Sequence, residues 1–404
     1  MLKTNLWDKT WLVGGGLASP WTYNRLISEV VAGREADEPK NLADVLVGLT
    51  RALYFGREVS LLEPTFVGEG EPDEGGPVSR TVSDTGSVTD FISKAMSSVD
   101  EGIRLTSSGS MGVPTTVRHT LRTLARAVVV APRHADDIFG LAFNPTHIAG
   151  VQVYLQAFAN GNTMVNLWGL PPAEVVARCR QWNVTHLSAT PTFYRMLAAE
   201  GTRLPQLRSL SMGGEVVDEA LLRRLRDIFP AARIHNIYAS TEAGTLLVSA
   251  GVDFTLPENL VGKIRLHENR IWVHRNLLGR FSNTDEWFDT GDRVEVTTLS
   301  PPRFRIVGRT HSAVNVGGEK VNPSDIESVL SLHPAIAAAH VYGVRNSVTG
   351  ELLAADLVTQ GAPPDEMEVR KHLALHLPAH RIPRILRFVD RLNVNRSGKI
   401  KRDV

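Results

Sequence analysis

Across 404 residues there is a single cysteine, Cys179. No disulfide can therefore close within the chain, and a cysteine-rich zinc site is excluded. One thiol suits a reducing compartment, so a cytoplasmic protein is expected. No run approaches the roughly 18 consecutive apolar residues of a membrane helix. The opening "MLKTNLWDKTWLV" has charges interrupting its short apolar run, unlike a signal peptide. An excess of one charge is missing too, with 44 Lys and Arg against 43 Asp and Glu and a formal net charge of +1. That balance gives no general field for nucleic acid or an acidic membrane. The basic residues are spread out, which argues against a polyanion-binding tail. There is no Gly-Lys-Ser/Thr ending of a Walker loop, no HExxH pair and no internal repeat.

What is present is ordinary for a globular chain: 43% apolar and 22% charged residues. The length suits a large domain followed by a smaller one. "NLADVLVGLTRALYFG" predicts a helix, with Asn41 as N-cap and Gly56 as stop. Residues 67–90, rich in Gly, Asp, Ser and Pro, predict a surface loop or partly disordered connector. From Arg104 onward, "ARAVVVAP", "LAFNP", "NTMVNLW", "THLSATP", "LRSLSMGG" and "ARIHNIYAS" read as short strands ending in Gly, Pro or Ser. "PPAEVVARCRQW" and "DEALLRRLRDIF" read as helices between them. Alternating strands and helices imply an α/β fold with mainly parallel sheets. In such sheets ligands sit beyond the carboxyl ends of the strands. "RIWVHRN" and "DRVEVTT" predict a more antiparallel section, and an αββα module of about 95 residues starts near Thr310. The expected domains are thus 1–309 and 310–404.

Four stretches could carry chemistry. "TSSGSMGVPTT", Thr106–Thr116, has the composition that turns backbone N–H groups and hydroxyls toward an anion, and equally that of a polar turn. "IYASTEAGT" puts an aromatic, two hydroxyls and the Glu242 carboxylate at one strand end. Tyr238 offers a stacking face, Thr241 a hydroxyl for phosphate oxygens and Glu242 a hard ligand for Mg²⁺. "WFDTGDRVEV" sets Asp289 and Asp292 on either side of a Thr-Gly turn, where a carboxylate suits vicinal ribose hydroxyls or merely the turn. In "NRSGKIKR", Lys399 follows a Ser-Gly turn that projects it from the small domain. His372, His376 and His380 in "HLALHLPAH" suggest a metal site less well than a packed or solvated helix face.

Taken in order, these motifs resemble the adenylate-forming superfamily of acyl- and aryl-CoA synthetases, peptide-synthetase adenylation domains and luciferases. "FNPTHIAG", "MGGE" and "VGRTHSAVNVGGEKVNPSDIE" are similar to its acyl-pocket, adenine and hinge segments. The resemblance implies a large N-terminal domain, shortened at its start, and a small mobile α+β C-terminal domain. It implies that Ser108, Gly109, Ser110 and Gly112 embrace the ATP phosphates, and that Gly213, Gly214, Glu215 and Tyr238 line the adenine slot. Thr241 would contact the α-phosphate, Glu242 would hold Mg²⁺, Asp292 would bind the ribose and Arg309 would sit nearby. Lys399 would act at the reacting carboxylate and α-phosphate. His147, Ala239 and Gly244 would shape the acyl pocket, His311 the hinge, and Gly317 and Gly318 the thiol tunnel.

The implied reaction joins a small-molecule carboxylic acid to AMP and then to CoA. Transfer to the phosphopantetheine of an acyl carrier protein and a non-catalytic nucleotide-binding relative are the alternatives. The sequence departs from the family pattern at Met111 and Thr115 in the phosphate loop and at His311 and Ser312 in the hinge. Losing one hydrogen bond to a charged group costs about 1.5–3 kcal/mol, which weakens a phosphate grip without abolishing it. "AFNPTHIAGVQVY" offers no carboxylate to pair with an α-amino group. Ile148, Ala149 and Val151 suggest an aryl or medium-sized acyl carboxylate.

Overall fold

The structure, a computed structural model, describes residues 9–14, 20–32, 39, 41–61, 87–97, 102–107, 115–199, 201, 203–283, 285–299, 302–310, 314–316, 319–346 and 350–392. Ser108, Gly109, Ser110, Met111, Gly112, His311, Ser312, Gly317, Gly318 and Lys399 lie outside the described residues.

The main sheet has eight strands. From one edge these are Gly244–Ser249, Arg233–Ser240, Ser209–Gly213, His186–Ala189, Ile138–Leu141, Thr163–Asn166, Thr10–Val13 and Trp21–Thr22. The inner strands pair in parallel and the two edge strands antiparallel. Helices Pro172–Gln181, Pro191–Ala199 and Glu219–Ile228 cover one face, burying Val165, Leu187, Leu210 and Ile234. On the other face, helices Tyr23–Ala32, Leu42–Phe55, Val88–Met96 and Ile148–Ala159 cover only the half that carries Leu12, Met164, Phe139 and Leu141. Cys179 is buried in the first of these layers, which pushes its thiol up to about 12.

Helix Leu42–Phe55 has the predicted caps: the Asn41 side chain accepts from the Asp44 N–H, and Gly56 is left-handed with φ 65°. Two expectations are corrected. Residues 88–90 are not loop but the first turn of helix Val88–Met96, nucleated by a reciprocal Ser87–Asp90 capping box. "ARAVVVAP" is not a strand, because Gln156 and Asn160 of the neighbouring helix take the Val129 N–H and C=O. With its ladder groups satisfied by side chains, that segment leaves Val130 67% exposed.

A small sheet of Val59–Ser60, Ile103–Ser107 and Thr115–His119 sits beside the main one. Ser107 pairs with Thr115, so the predicted phosphate loop connects two antiparallel strands. A five-stranded antiparallel sheet follows, built on Ile264–His267, Arg270–His274, Trp287–Leu299, Pro302–Arg309 and Asp253–Thr255. The smaller C-terminal domain has its own sheet, with Ile336–Asn346 and Gly350–Thr359 as its long strands, packed by helices Pro323–Leu330 and Glu366–Ala374. Its Asn322 Nδ2 donates to the Val307 carbonyl at 3.0 Å, beside Gly308 at φ 134°. A Cβ at Gly308 would come within 2.3 Å of that amide, so the junction admits only glycine.

Candidate functional site

The uncovered half of the main sheet floors a cleft of about 1560 Å³, walled by helix Ile148–Ala159, the antiparallel sheet and part of the C-terminal domain. Its polar floor follows from strict alternation. Leu187, Leu210 and Ile234 point into the helical layer, so their neighbours Ser188, Ser211 and His235 share the opposite face. At the carboxyl ends of these strands stand Gly213, Gly214, Glu215, Ala239, Thr241 and Glu242, all lining the cleft.

The turn bearing Thr241 and Glu242 is held from behind by its backbone. His119 Nε2–H donates to the Thr241 carbonyl at 2.6 Å, the Gly279 N–H to the Glu242 carbonyl at 2.7 Å and Arg126 Nη1 to the Ala243 carbonyl at 3.2 Å. Three successive carbonyls are thus occupied while both side chains remain on the cleft side. The packing leaves no room behind: a Cβ at Gly279 would meet Val117 at 2.6 Å and the His119 ring at 2.8 Å. Burial pulls the His119 pKa down to about 4, so the ring is neutral and its Nε2 proton is committed to Thr241. His119, Arg126 and Gly279 were not anticipated from the sequence; each lies far along the chain from the turn it holds.

Asp292 is 5% exposed and accepts from both sides: Tyr238 Oη at 2.8 Å on Oδ2, and Arg309 Nε at 2.7 Å on Oδ1. Strand register explains the second contact, since Asp292 and Arg309 are cross-strand partners. The Asp292 carboxylate holds the Arg309 guanidinium charged, with Tyr238 and Glu242 adding to the effect against burial. Burial and the neighbouring Asp292 charge push the Tyr238 phenol well up. Three readings change here. "WFDTGD" is not a turn but a kink within strand Trp287–Leu299, where Gly291 takes φ 71°. Asp289 is paired with Arg270, whereas Asp292 is paired with Arg309. The Tyr238 ring is only 6% exposed and set edge-on to Phe254, and its hydroxyl is given to Asp292.

Glu215 lines the cleft and also accepts from the Thr192 N–H at 2.9 Å, capping helix Pro191–Ala199. His147 occupies the N-cap position of helix Ile148–Ala159 and faces the cleft with Ile148 and Ala149. That helix starts tightly, since a Cβ at Gly150 would meet the Asn144 carbonyl at 2.1 Å. Two expected pocket positions are corrected. Val151 is fully buried in the core, and Gly244, at φ 68°, backs onto Gln152 and the Thr123 carbonyl while Thr245 reaches the cleft. In the C-terminal domain His372 Nε2–H donates to the Val329 carbonyl at 2.9 Å, tying the two helices together as a packed face does.

The AMP-binding enzyme model matches residues 102–269, and the AMP-binding enzyme C-terminal domain model matches residues 325–399. The chain belongs to the AMP-binding, adenylate-forming enzymes. It is 26% identical to acetyl-coenzyme A synthetase of Bacillus subtilis over 74% of this chain and 59% of that protein. It is 28% identical to the fatty acid–[acyl-carrier-protein] ligase ScoC of Streptomyces coeruleorubidus over 66% of this chain and 58% of that protein. The chain therefore spans under two thirds of the length of either relative. The solved o-succinylbenzoate coenzyme A synthetase of Bacillus subtilis, in complex with ATP and magnesium ion, superposes with a TM-score of 0.65 at 19% identity. That match covers 97% of this chain and 95% of the other, and shows the shared fold. Among the described residues no helix is long and apolar enough to cross a membrane.

Proposed function

We propose that this chain uses ATP and Mg²⁺ to convert a carboxylic acid into its acyl-adenylate and then passes the acyl group to a thiol, CoA in the first instance. The observation that carries the reading is the buried Tyr238–Asp292–Arg309 chain set beside Thr241 and Glu242 at the strand ends. A carboxylate has about four acceptor positions, so Asp292 keeps two for vicinal ribose hydroxyls while Tyr238 and Arg309 fix its plane. Arg309 and the Thr241 hydroxyl orient the α-phosphate, and Gly213 and Gly214 let the base approach the backbone closely. Glu242 is a hard oxygen donor on a rigid turn and fits Mg²⁺. Bound there, the ion would neutralise phosphate charge. The chain itself forms no covalent intermediate; it contributes positioning and electrostatic stabilisation. Lys399, on a domain we place at residues 310–404, would supply its charge where the attacking carboxylate meets the α-phosphorus. Ser108, Gly109, Ser110 and Gly112 would hold the departing phosphates, His311 would serve the hinge, and Gly317 and Gly318 would line the thiol's path.

The acid lies along helix Ile148–Ala159, against His147, Ile148, Ala149 and Ala239, which suits an aryl or medium acyl chain. Likeness to an acyl-carrier-protein ligase supports a second acceptor, carrier-bound phosphopantetheine. ATP–pyrophosphate exchange across a panel of acids, then thioester formation with CoA and with carrier proteins, tests both. Acid-dependent exchange is expected. ATP binding without exchange for any acid would leave a nucleotide-binding protein instead, and no ATP binding would end the proposal.

A further inference from the structure

At the amino ends of the same strands, the cleft holds a second cluster of a different kind. Strand Arg233–Ser240 runs about 25 Å from Arg233 to Thr241 at roughly 3.3 Å per residue, and the register Arg233–Ser209–His186–Phe139 crosses the sheet at the far end. We propose that His134, Asp137 and His186 there bind a divalent transition-metal ion, Zn²⁺ by ligand type, with its open side toward the cleft.

The ligand atoms of the three residues lie within 4.8 Å of one another. Asp137 Oδ2 is 2.7 Å from His134 Nδ1 and 3.4 Å from His186 Nε2. Zinc bonds of about 2.0–2.1 Å in tetrahedral geometry put ligand atoms about 3.3 Å apart. The His186 pair already stands at that spacing, the His134 pair must open by about 0.6 Å, and the two imidazole nitrogens, within 4.8 Å of each other, would close around the ion. Asp137 is 3% exposed, so its charge needs a partner. Its other oxygen, Oδ1, faces Arg208 at 3.6 Å, which leaves Oδ2 to the two imidazoles.

Proton bookkeeping points the same way. Thr185 Oγ1 accepts from the Ile138 N–H at 2.8 Å and gives its one proton to the Ile138 carbonyl at 3.2 Å. With the hydroxyl proton on that carbonyl, His186 Nδ1, 2.9 Å away, donates to Thr185 Oγ1, and Nε2 then carries the lone pair that a metal takes. That lone pair faces a carboxylate oxygen, an arrangement a cation between them resolves. The hydrogen bond on Nδ1 is the outer-shell contact that fixes a metal-binding imidazole. The backbone is firm as well: the His134 carbonyl accepts from Asn162 Nδ2 at 2.7 Å and from the Asp137 N–H at 3.2 Å. Two histidines and one carboxylate with an open fourth position describe a site that takes water or an anion, not a closed structural zinc. Nothing in this inference depends on the adenylation reading.

The full chain, stripped of metal with a chelator and held without ATP, is titrated with Zn²⁺ and Co²⁺ and followed by equilibrium dialysis and visible absorption. One equivalent is expected to bind with micromolar or tighter affinity, and Co²⁺ to show the strong visible bands of a four-coordinate site. His186→Ala and His134→Ala should each weaken Zn²⁺ binding by about 100-fold or more, with circular dichroism unchanged. Glu242→Gln should leave the Co²⁺ spectrum as it is. Should the His186 variant fail to fold, His134→Ala decides, because that residue ends the short helix Pro132–His134 outside the strands and is partly exposed. Absence of stoichiometric binding overturns the proposal, as does binding that survives the histidine substitutions or disappears with Glu242→Gln.

Discussion

Asp292 shows how one residue acquires meaning from partners far along the chain. Its carboxylate is buried, yet it stands between a phenol 54 residues away and a guanidinium 17 residues away. Tyr238 and Arg309 together hold it in one orientation, so its remaining acceptor positions are presented without further ordering cost. Replacing Asp292 by Asn keeps the shape and removes the charge. A lost charged hydrogen bond is worth about 1.5–3 kcal/mol, which corresponds to roughly 10- to 100-fold weaker ATP binding by calorimetry. Unchanged affinity would take Asp292 out of the nucleotide site. Thr-Gly-Asp marked this carboxylate in the sequence. The Tyr238 hydroxyl was not legible, because an aromatic beside a strand end reads equally as a stacking face.

At the scale of elements, the small sheet and the main sheet are joined through the turn after strand Arg233–Ser240. His119, from strand Thr115–His119, contributes one of three donors that fix that turn. Its neutral state is built in, with a pKa of about 4 against an unfolded value of 6.5. Below pH 6.5 the unfolded chain takes up a proton that the folded chain refuses. The histidine's contribution is therefore complete above pH 6.5 and declines as pH falls toward 4. The span corresponds to about 3 kcal/mol at ~1.4 kcal/mol per pH unit. Urea midpoints for wild type and His119→Gln, taken between pH 7 and pH 4, should converge by that order of stability. Parallel profiles would show that His119 does not titrate in this way. Elements with local signals were legible: Asn41 and Gly56 bound their helix because caps act within a few residues. "ARAVVVAP" failed as a strand for the opposite reason, since its hydrogen bonds are taken by side chains of a helix further along.

For the whole molecule, the cleft exists because only half of one sheet face is covered, and the C-terminal domain contributes Val314, Pro323 and Tyr342 to its wall. In the proposed reaction Lys399 would come from that domain, which would make closure a condition of the first chemical step. Lys399→Ala is therefore expected to cut acid-dependent pyrophosphate exchange by roughly 100-fold or more, with ATP affinity changed by only a few-fold. Full exchange in that variant would remove Lys399 from the mechanism.

The sequence by itself determined what depends on near neighbours. It specified the alternation that separates an apolar from a polar sheet face, the caps of its clearest helix, the parallel α/β plan and the order of the motifs. Only the tertiary structure decided which side chains meet. It brought His119 behind Thr241, Tyr238 onto Asp292, and His134 and Asp137 to His186. Strand order and register, set by burial of the whole sheet, govern those contacts, and no local run of residues encodes them.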